Sequence, residues 1–248
     1  MLQPDFSLGP LTFHLYGIFI LLGLLLLRFY LKAKCAKDNL WFSQVESAFI
    51  VSLIFALLGA RLYHVLSHFS YYSQHWDEIF SIWQGGLGIF GVILGGITGL
   101  AIYSHLKHLN LENLLNLIFP PLLLVQAIGR LGNFFNSEGF GPPTNLPWKI
   151  FIPLSNRPSE YQNFSYFHPT FFYESALCLI AFTVFLFLQR RRKRFDFGFA
   201  YYLVSYGSIR FFTEFLRIDS WLISKIHVGH VLSLVMVFAG IFYFQKKS

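Results

Sequence analysis

Residues 113–136 read NLLNLIFPPLLLVQAIGRLGNFFN, a mostly apolar run of membrane-crossing length that nevertheless carries Gln126, Arg130 and Asn133. About 20 such residues suffice to cross a bilayer, and an arginine at the centre of a span costs ~2.5–3.5 kcal/mol by insertion scales. Six further stretches share the pattern: 11–31, 46–67, 85–106, 169–189, 197–216 and 228–245. Their apolar residues are continuous, not alternating, which favours helices over barrel strands. The expectation is an all-α integral membrane protein: a seven-transmembrane-helix bundle in which residues 1–248 form a single membrane domain.

Composition agrees. The chain is 55% hydrophobic and 12% charged, against about 25% charged in soluble domains. An ordinary soluble enzyme and a disordered chain are excluded. Cys35 and Cys178 are far apart and lack metal-ligand spacing, so two unpaired thiols are expected. No basic region precedes the first apolar run, which reads as a retained span and not as a signal peptide.

Charge orients the bundle. Twelve of the 19 Lys and Arg, among them Arg28, Lys32, Lys107 and the run Arg190–Arg194, flank the first, third and fifth connections or the C-terminal tail. Lys149, Arg157, Arg217 and Lys225 lie on the other side. The positive-inside rule then gives N-out/C-in, and the net charge of +7 faces an anionic inner leaflet, not nucleic acid. Residues 137–168 hold five of the ten prolines and form the longest connection, a small outer-face cap between spans four and five.

Arg61, Arg130 and Arg210 are the remaining basic residues, all inside spans. With this topology they fall in outer halves, at the level of Tyr16, Glu174 and His230. Gln126, Arg130 and Asn133 share one helical face; so do Arg210, Glu214 and Arg217, and Arg61, His64 and His68. Such stripes are tolerated only towards a protein interior or a water-filled cavity. The planar arginine fork suits a phosphate, and a phospholipid head group is the phosphate available at that depth. The competing reading is that Arg130 or Arg210 pairs with Glu174 or Glu214 to hold the bundle; pairing and phosphate binding are compatible.

Gly86–Gly91 fits G-x-G-x-x-G, but without the strand and acidic residue of a dinucleotide site. Gly91, Gly95 and Gly99 instead form a G-x-x-x-G face for close helix packing, and Gly85-Gly86 could bring backbone N–H groups to a ligand. No metal-protease, P-loop, G-x-S-x-G or aspartate-rich motif is present, and no metal is expected.

The stretch Gly129-Arg-Leu-Gly-Asn-Phe-Phe-Asn-Ser-Glu-Gly-Phe-Gly141 resembles the signature of the bacterial prolipoprotein diacylglyceryl transferases. Matching blocks follow in order: Tyr16-Gly17, Gly59-Ala60-Arg61, Trp83-Gln84-Gly85-Gly86, His168-Pro169-Thr170 with Tyr173-Glu174, and Tyr206-Gly207 with Arg210-Phe211, Glu214 and Arg217. The resemblance implies a cofactor-free, metal-free transferase of the bacterial cytoplasmic (inner) membrane, its active site facing the outer leaflet. Its partners would be phosphatidylglycerol and a preprolipoprotein lipobox peptide, with the diacylglyceryl group passing to the lipobox cysteine. It implies catalytic roles for Arg130, Arg210, Tyr16, Asn133 and Glu138. Lipid contacts would come from Arg130, Arg210, Arg61, Gly141, Gly85 and Gly86, supported by His168, Glu174, Glu214 and Arg217. One departure concerns the base: Phe90 stands where many members carry histidine. His14, His168 and Glu138 are the candidates, unless arginine electrostatics alone lower the thiol pKa. His14 also replaces an expected arginine, and Gly229-His230 a usual Gly-Gln.

Overall fold

The computed structural model describes residues 5–8, 11–191, 196–218, 222–223 and 226–246. The chain begins with an antiparallel hairpin, β1 (Asp5–Leu8) and β2 (Leu11–His14). Helices α1 (Leu15–Lys37), α2 (Phe42–Ser67), the single turn α3 (Phe69–Tyr72), α4 (Ile89–Leu106), α5 (Leu111–Ile118) and α6 (Leu122–Asn136) follow. A two-residue ladder, β3 (Ile150–Phe151) with β4 (Tyr166–Phe167), precedes α7 (Thr170–Arg191) and α8 (Gly198–Glu214). A second, β5 (Leu222–Ile223) with β6 (Ile226–His227), leads into α9 (Val228–Gln245).

Among the described residues α1, α2, α4, α7 and α9 are each long and apolar enough to cross a membrane, and α5 with α6 would make a sixth crossing if counted as one. Their outward side chains are apolar: Leu58 is 61% exposed, Leu94 67% and Phe242 71%. A fold so uncovered in water would lose much of its driving force; hydrocarbon removes that cost. The protein is therefore a mostly helical, multi-pass membrane protein. Several expected boundaries shift, α2 starting at Phe42 and α4 only at Ile89, and two of the changes have a local cause. Residues 11–14 pair as a strand, so the first helix starts at Leu15 and runs on to Lys37. The run 113–136 is not one helix: Pro120 and Pro121 lack the N–H and crowd the preceding turn, so α5 stops at Ile118 and α6 begins at Leu122.

The chain divides into two compact units, Leu31–Ile118 and Met1–Tyr30 with Phe119–Ser248. In the first, α2 and α4 lie antiparallel with their backbones in contact. A Cβ on Gly91 would meet the Gly59 carbonyl, one on Gly95 the Phe55 carbonyl, and one on Gly99 the Val51 carbonyl and the Phe55 side chain. The G-x-x-x-G face is the packing face. Ser52 Oγ donates to the Gly96 carbonyl across it, 2.9 Å.

In the larger unit α1 runs against α6, where a Cβ at Gly23 would touch Val125 and one at Gly132 would touch Tyr16. Leu123 and Ala127 of α6, Cys178, Phe182 and Phe185 of α7, and Tyr202 and Ile209 of α8 form the core with Phe197. Cys178 and Cys35 are both buried free thiols, as expected from their spacing. The connection from Ser137 to His168 has its own centre, Phe140, Ile152 and Phe167 packed with Phe171 of α7.

Candidate active site

Four charged residues from three helices meet inside the larger unit. Glu174 of α7 is 2% exposed and lies between two arginines: Arg130 Nη2 of α6 is 2.8 Å from its Oε1, and Arg210 Nη1 of α8 is 3.2 Å from its Oε2. The other Arg210 nitrogen, Nη2, donates to Glu214, one turn further along α8. Two arginines and two carboxylates cancel in formal charge, which makes the cluster tolerable among apolar helices. Exposure is uneven. The Arg130 and Arg210 side chains keep 22% and 17%, the carboxylates 3% and 2%. The acids are the more deeply buried members of the cluster and the two arginine side chains the more exposed.

Tyr206, one turn before Arg210, donates its hydroxyl hydrogen to Glu174 Oε1 at 3.3 Å and accepts from Arg130. It stacks on Tyr202, whose hydroxyl accepts from Gln126 Nε2 at 2.8 Å. The Gln126-Arg130-Asn133 stripe thus faces the interior, as its spacing implies. Tyr206 was assigned no role from the sequence, although it extends the Arg210-Glu214 stripe by one more i−4 step and that signal was available.

The end of α6 turns through Ser137, in the left-handed region at φ 52°, into Gly139 at φ 67°. This brings Glu138 back over the helix: its Oε1 accepts from Asn133 Nδ2 at 3.1 Å and from Asn136 Nδ2 at 3.2 Å. Arg130 and Glu138 are the charged neighbours of the Tyr16 hydroxyl at the start of α1. Thr170 Oγ1, at the start of α7, holds the Gly139 carbonyl at 2.6 Å. The Gly141 N–H donates to the His168 carbonyl at 2.8 Å, and a side chain at Gly141 would strike the Leu216 carbonyl and Thr170. His168 Nδ1 lies 3.2 Å from the Tyr173 hydroxyl, which accepts from Trp148 Nε1 at 2.7 Å. Arg217 follows α8 in a turn, its N–H on the Glu214 carbonyl at 3.2 Å.

Arg61, Gly85 and Gly86 belong to the smaller unit and form a different arrangement. Arg61 is 6% exposed; its Nε donates to the Ile79 carbonyl at 2.7 Å, Nη1 to Gly85 at 2.9 Å and Gly86 at 3.4 Å, and Nη2 to Glu78. Tyr72 covers the guanidinium face at 5.3 Å. Gly85 and Gly86 have φ of 87° and 70°, a path open to glycine at little cost. Phe90 packs on Tyr63, ring centroids 5.5 Å apart.

The family described as prolipoprotein diacylglyceryl transferase matches residues 4–245. The phosphatidylglycerol–prolipoprotein diacylglyceryl transferase of Acaryochloris marina is 40% identical, over 98% of this chain and 91% of its own length. That of Thermosynechococcus vestitus is 37% identical over 97% and 92%, and that of Thermotoga maritima 38% over 95% and 81%. With likeness along nearly its whole length, the chain belongs to the prolipoprotein diacylglyceryl transferase family.

Proposed function

We propose that this chain transfers the diacylglyceryl group of phosphatidylglycerol to the lipobox cysteine of a preprolipoprotein, with Arg130 and Arg210 holding the lipid phosphate. The observation that carries the site assignment is the pair of arginines resting on one buried carboxylate, each side chain more exposed than the acid that holds it. In the reaction the sulfur attacks the glyceryl carbon bearing the phosphate ester. The carbon–sulfur bond forms as the carbon–oxygen bond breaks, and the electron pair leaves with glycerol phosphate. Charge grows on the departing phosphate, where two guanidinium forks fixed beforehand by Glu174 and Glu214 stabilise it without reorganising.

The thiol must lose its proton to react. Phe90 has no proton-accepting atom, and of His14, His168 and Glu138 the geometry favours Glu138. It is a carboxylate at the surface end of α6, oriented by two amides and beside Tyr16, which Arg130 also borders. Asn133, itself buried, aims Glu138 through its Nδ2. Tyr16 lies against Gly132 and orders the approach to Arg130. Gly141, His168 and Thr170 hold the loop that carries Glu138. Arg217 completes the turn after Glu214. Arg61 is assigned to holding the Gly85–Gly86 loop, and its phosphate role gives way to that one because carbonyls take its donors.

The membrane arrangement belongs to the same proposal. Seven crossings require α8, which has 17 residues, and the α5–α6 pair to span alongside the five long helices. The asymmetry of Lys and Arg supports N-out/C-in in the bacterial inner membrane. Residues 137–168 then form an extracytoplasmic head inserted in a single membrane domain, and the site faces the outer leaflet.

The test uses purified protein in phosphatidylglycerol micelles with a lipobox peptide, followed by mass spectrometry for the diacylglyceryl thioether. Product from the wild type that disappears with Arg130→Ala supports the reading. A folded wild type that binds lipid without product, while Phe90→His makes product, overturns it in favour of a lipid-binding protein whose base is lost.

A further inference from the structure

Glu214 has a second neighbour. It is buried to 2% exposure, and its carboxylate occupies the space where a side chain of Gly229 would stand: a Cβ there would fall within 2.6 Å of Oε1, Cδ and Oε2. Gly229 lies in the first turn of α9, whose N-cap residue, His227, supplies no side-chain cap. The first N–H groups of a helix have no partner within it, and the helix dipole favours an anion there. Glu214 is thus set between the Arg210 guanidinium and the start of α9.

We propose that Gly229 is a positioning residue for phosphatidylglycerol: by having no side chain it seats the Glu214 carboxylate on the first turn of α9, and Glu214 in turn aims Arg210. This rests on the assignment of Arg210 to the lipid phosphate. Arg210 is held at two points, Nη1 by Glu174 and Nη2 by Glu214. An alanine at 229 expels the carboxylate and leaves Arg210 on Glu174 alone, free to swing about that contact. The remaining charge–charge bond keeps the arginine in the site, so the deficit falls on lipid affinity before the chemical step.

Other glycines of the same helix pair provide the control. Gly207 of α8 meets the Ser233 carbonyl and Val237 of α9, and Gly240 of α9 meets Val204, Leu203 and the Ala200 carbonyl. Neither touches Glu214. Gly207 bears on Ser233, whose Oγ donates to the Gly229 carbonyl at 2.6 Å, so Gly240→Ala, which disturbs α8–α9 packing away from the seat, is the control.

The experiment measures thioether formation against phosphatidylglycerol concentration for wild type, Gly229→Ala, Glu214→Asp, the Gly229→Ala/Glu214→Asp double variant and Gly240→Ala. Gly229→Ala is expected to raise the KM for phosphatidylglycerol about tenfold, the value of one charge-assisted hydrogen bond, with kcat changed much less. Aspartate withdraws the carboxylate by one methylene, so the double variant is expected to recover most of that loss. Gly240→Ala is expected to lower thermal stability without raising KM. An unchanged KM in Gly229→Ala, or a double variant no better than the product of the two single effects, overturns the inference. If Gly229→Ala does not fold, the double variant decides: a folded, active double variant supports the seat, and one that also fails to fold overturns it. A folded wild type that makes no thioether overturns the functional reading itself, which a product-forming wild type separates from failure of the seat.

Discussion

Arg130 and Arg210 of the larger unit and Arg61 of the smaller one are the same residue type, each inside an apolar helix, and the protein holds them in opposite ways. Arg130 and Arg210 rest on carboxylates, with side chains 22% and 17% exposed. Arg61 is buried on four carbonyls of residues 78–86 under an aromatic ring. A carboxylate neutralises a guanidinium from one side and leaves its other donors usable. Carbonyls that surround the fork satisfy the donors and fix the loop, leaving little for a ligand. The first arrangement suits the anion site proposed above; the second ties a polar loop to a helix.

Catalysis should break the comparison most sharply. Arg210→Ala is expected to lower thioether formation about 10³-fold, since it removes charge opposite the departing phosphate. Arg61→Ala is expected to stay within about tenfold of wild type per folded molecule, because the Arg61 donors are taken by backbone carbonyls of residues 78–86. Assays on variants matched for folded protein decide this. An equal loss at Arg61 would put that residue in the reaction.

Stability should show the reverse. Arg61→Ala leaves the carbonyls of Glu78, Ile79, Gly85 and Gly86 without the guanidinium in a crowded place. A cost of about 2–4 kcal/mol is expected, given ~1–3 kcal/mol for each unsatisfied buried group and partial relief by water. Unfolding in detergent, followed by circular dichroism, measures it. A change below ~1 kcal/mol would mean that the loop does not depend on Arg61.

Much of this was legible in the sequence, and the misses have physical causes. The stripe Gln126-Arg130-Asn133 and the pair Arg210-Glu214 declare an inward face because hydrocarbon tolerates them nowhere else. The glycines at 91, 95 and 99 declare close packing because nothing else explains small residues at that spacing. Hydropathy alone could not separate Leu11–His14 from the helix that follows, since a strand and a span both use apolar residues. The Pro120-Pro121 break lay inside a window read for apolarity, which is blind to a missing N–H. The true partners of Arg61 are backbone carbonyls from a loop about 20 residues away, and every residue owns a carbonyl, so no side-chain pattern announces them. Glu174 between two arginines was legible as an alternative pairing; that it takes both at once required three helices to be placed.

The smallest effect tests the α2–α4 contact on which the Arg61 loop is mounted, using two neighbouring glycines. At Gly95 a Cβ would meet the carbonyl and Cα of Phe55 and Ala56, atoms that no rotamer change can remove, so the helices must part. Gly95→Ala is expected to destabilise by about 1–3 kcal/mol, the usual cost of overpacking. At Gly96 the nearest atom would be Ser52 Oγ at 3.4 Å, an ordinary contact. Gly96→Ala should therefore be neutral or gain up to ~1 kcal/mol from helix propensity. The two substitutions are chemically identical and one residue apart, so a difference in sign between their unfolding free energies isolates backbone contact from propensity. If both destabilised alike, glycine would matter here for the helix itself and not for the surface it offers to α2.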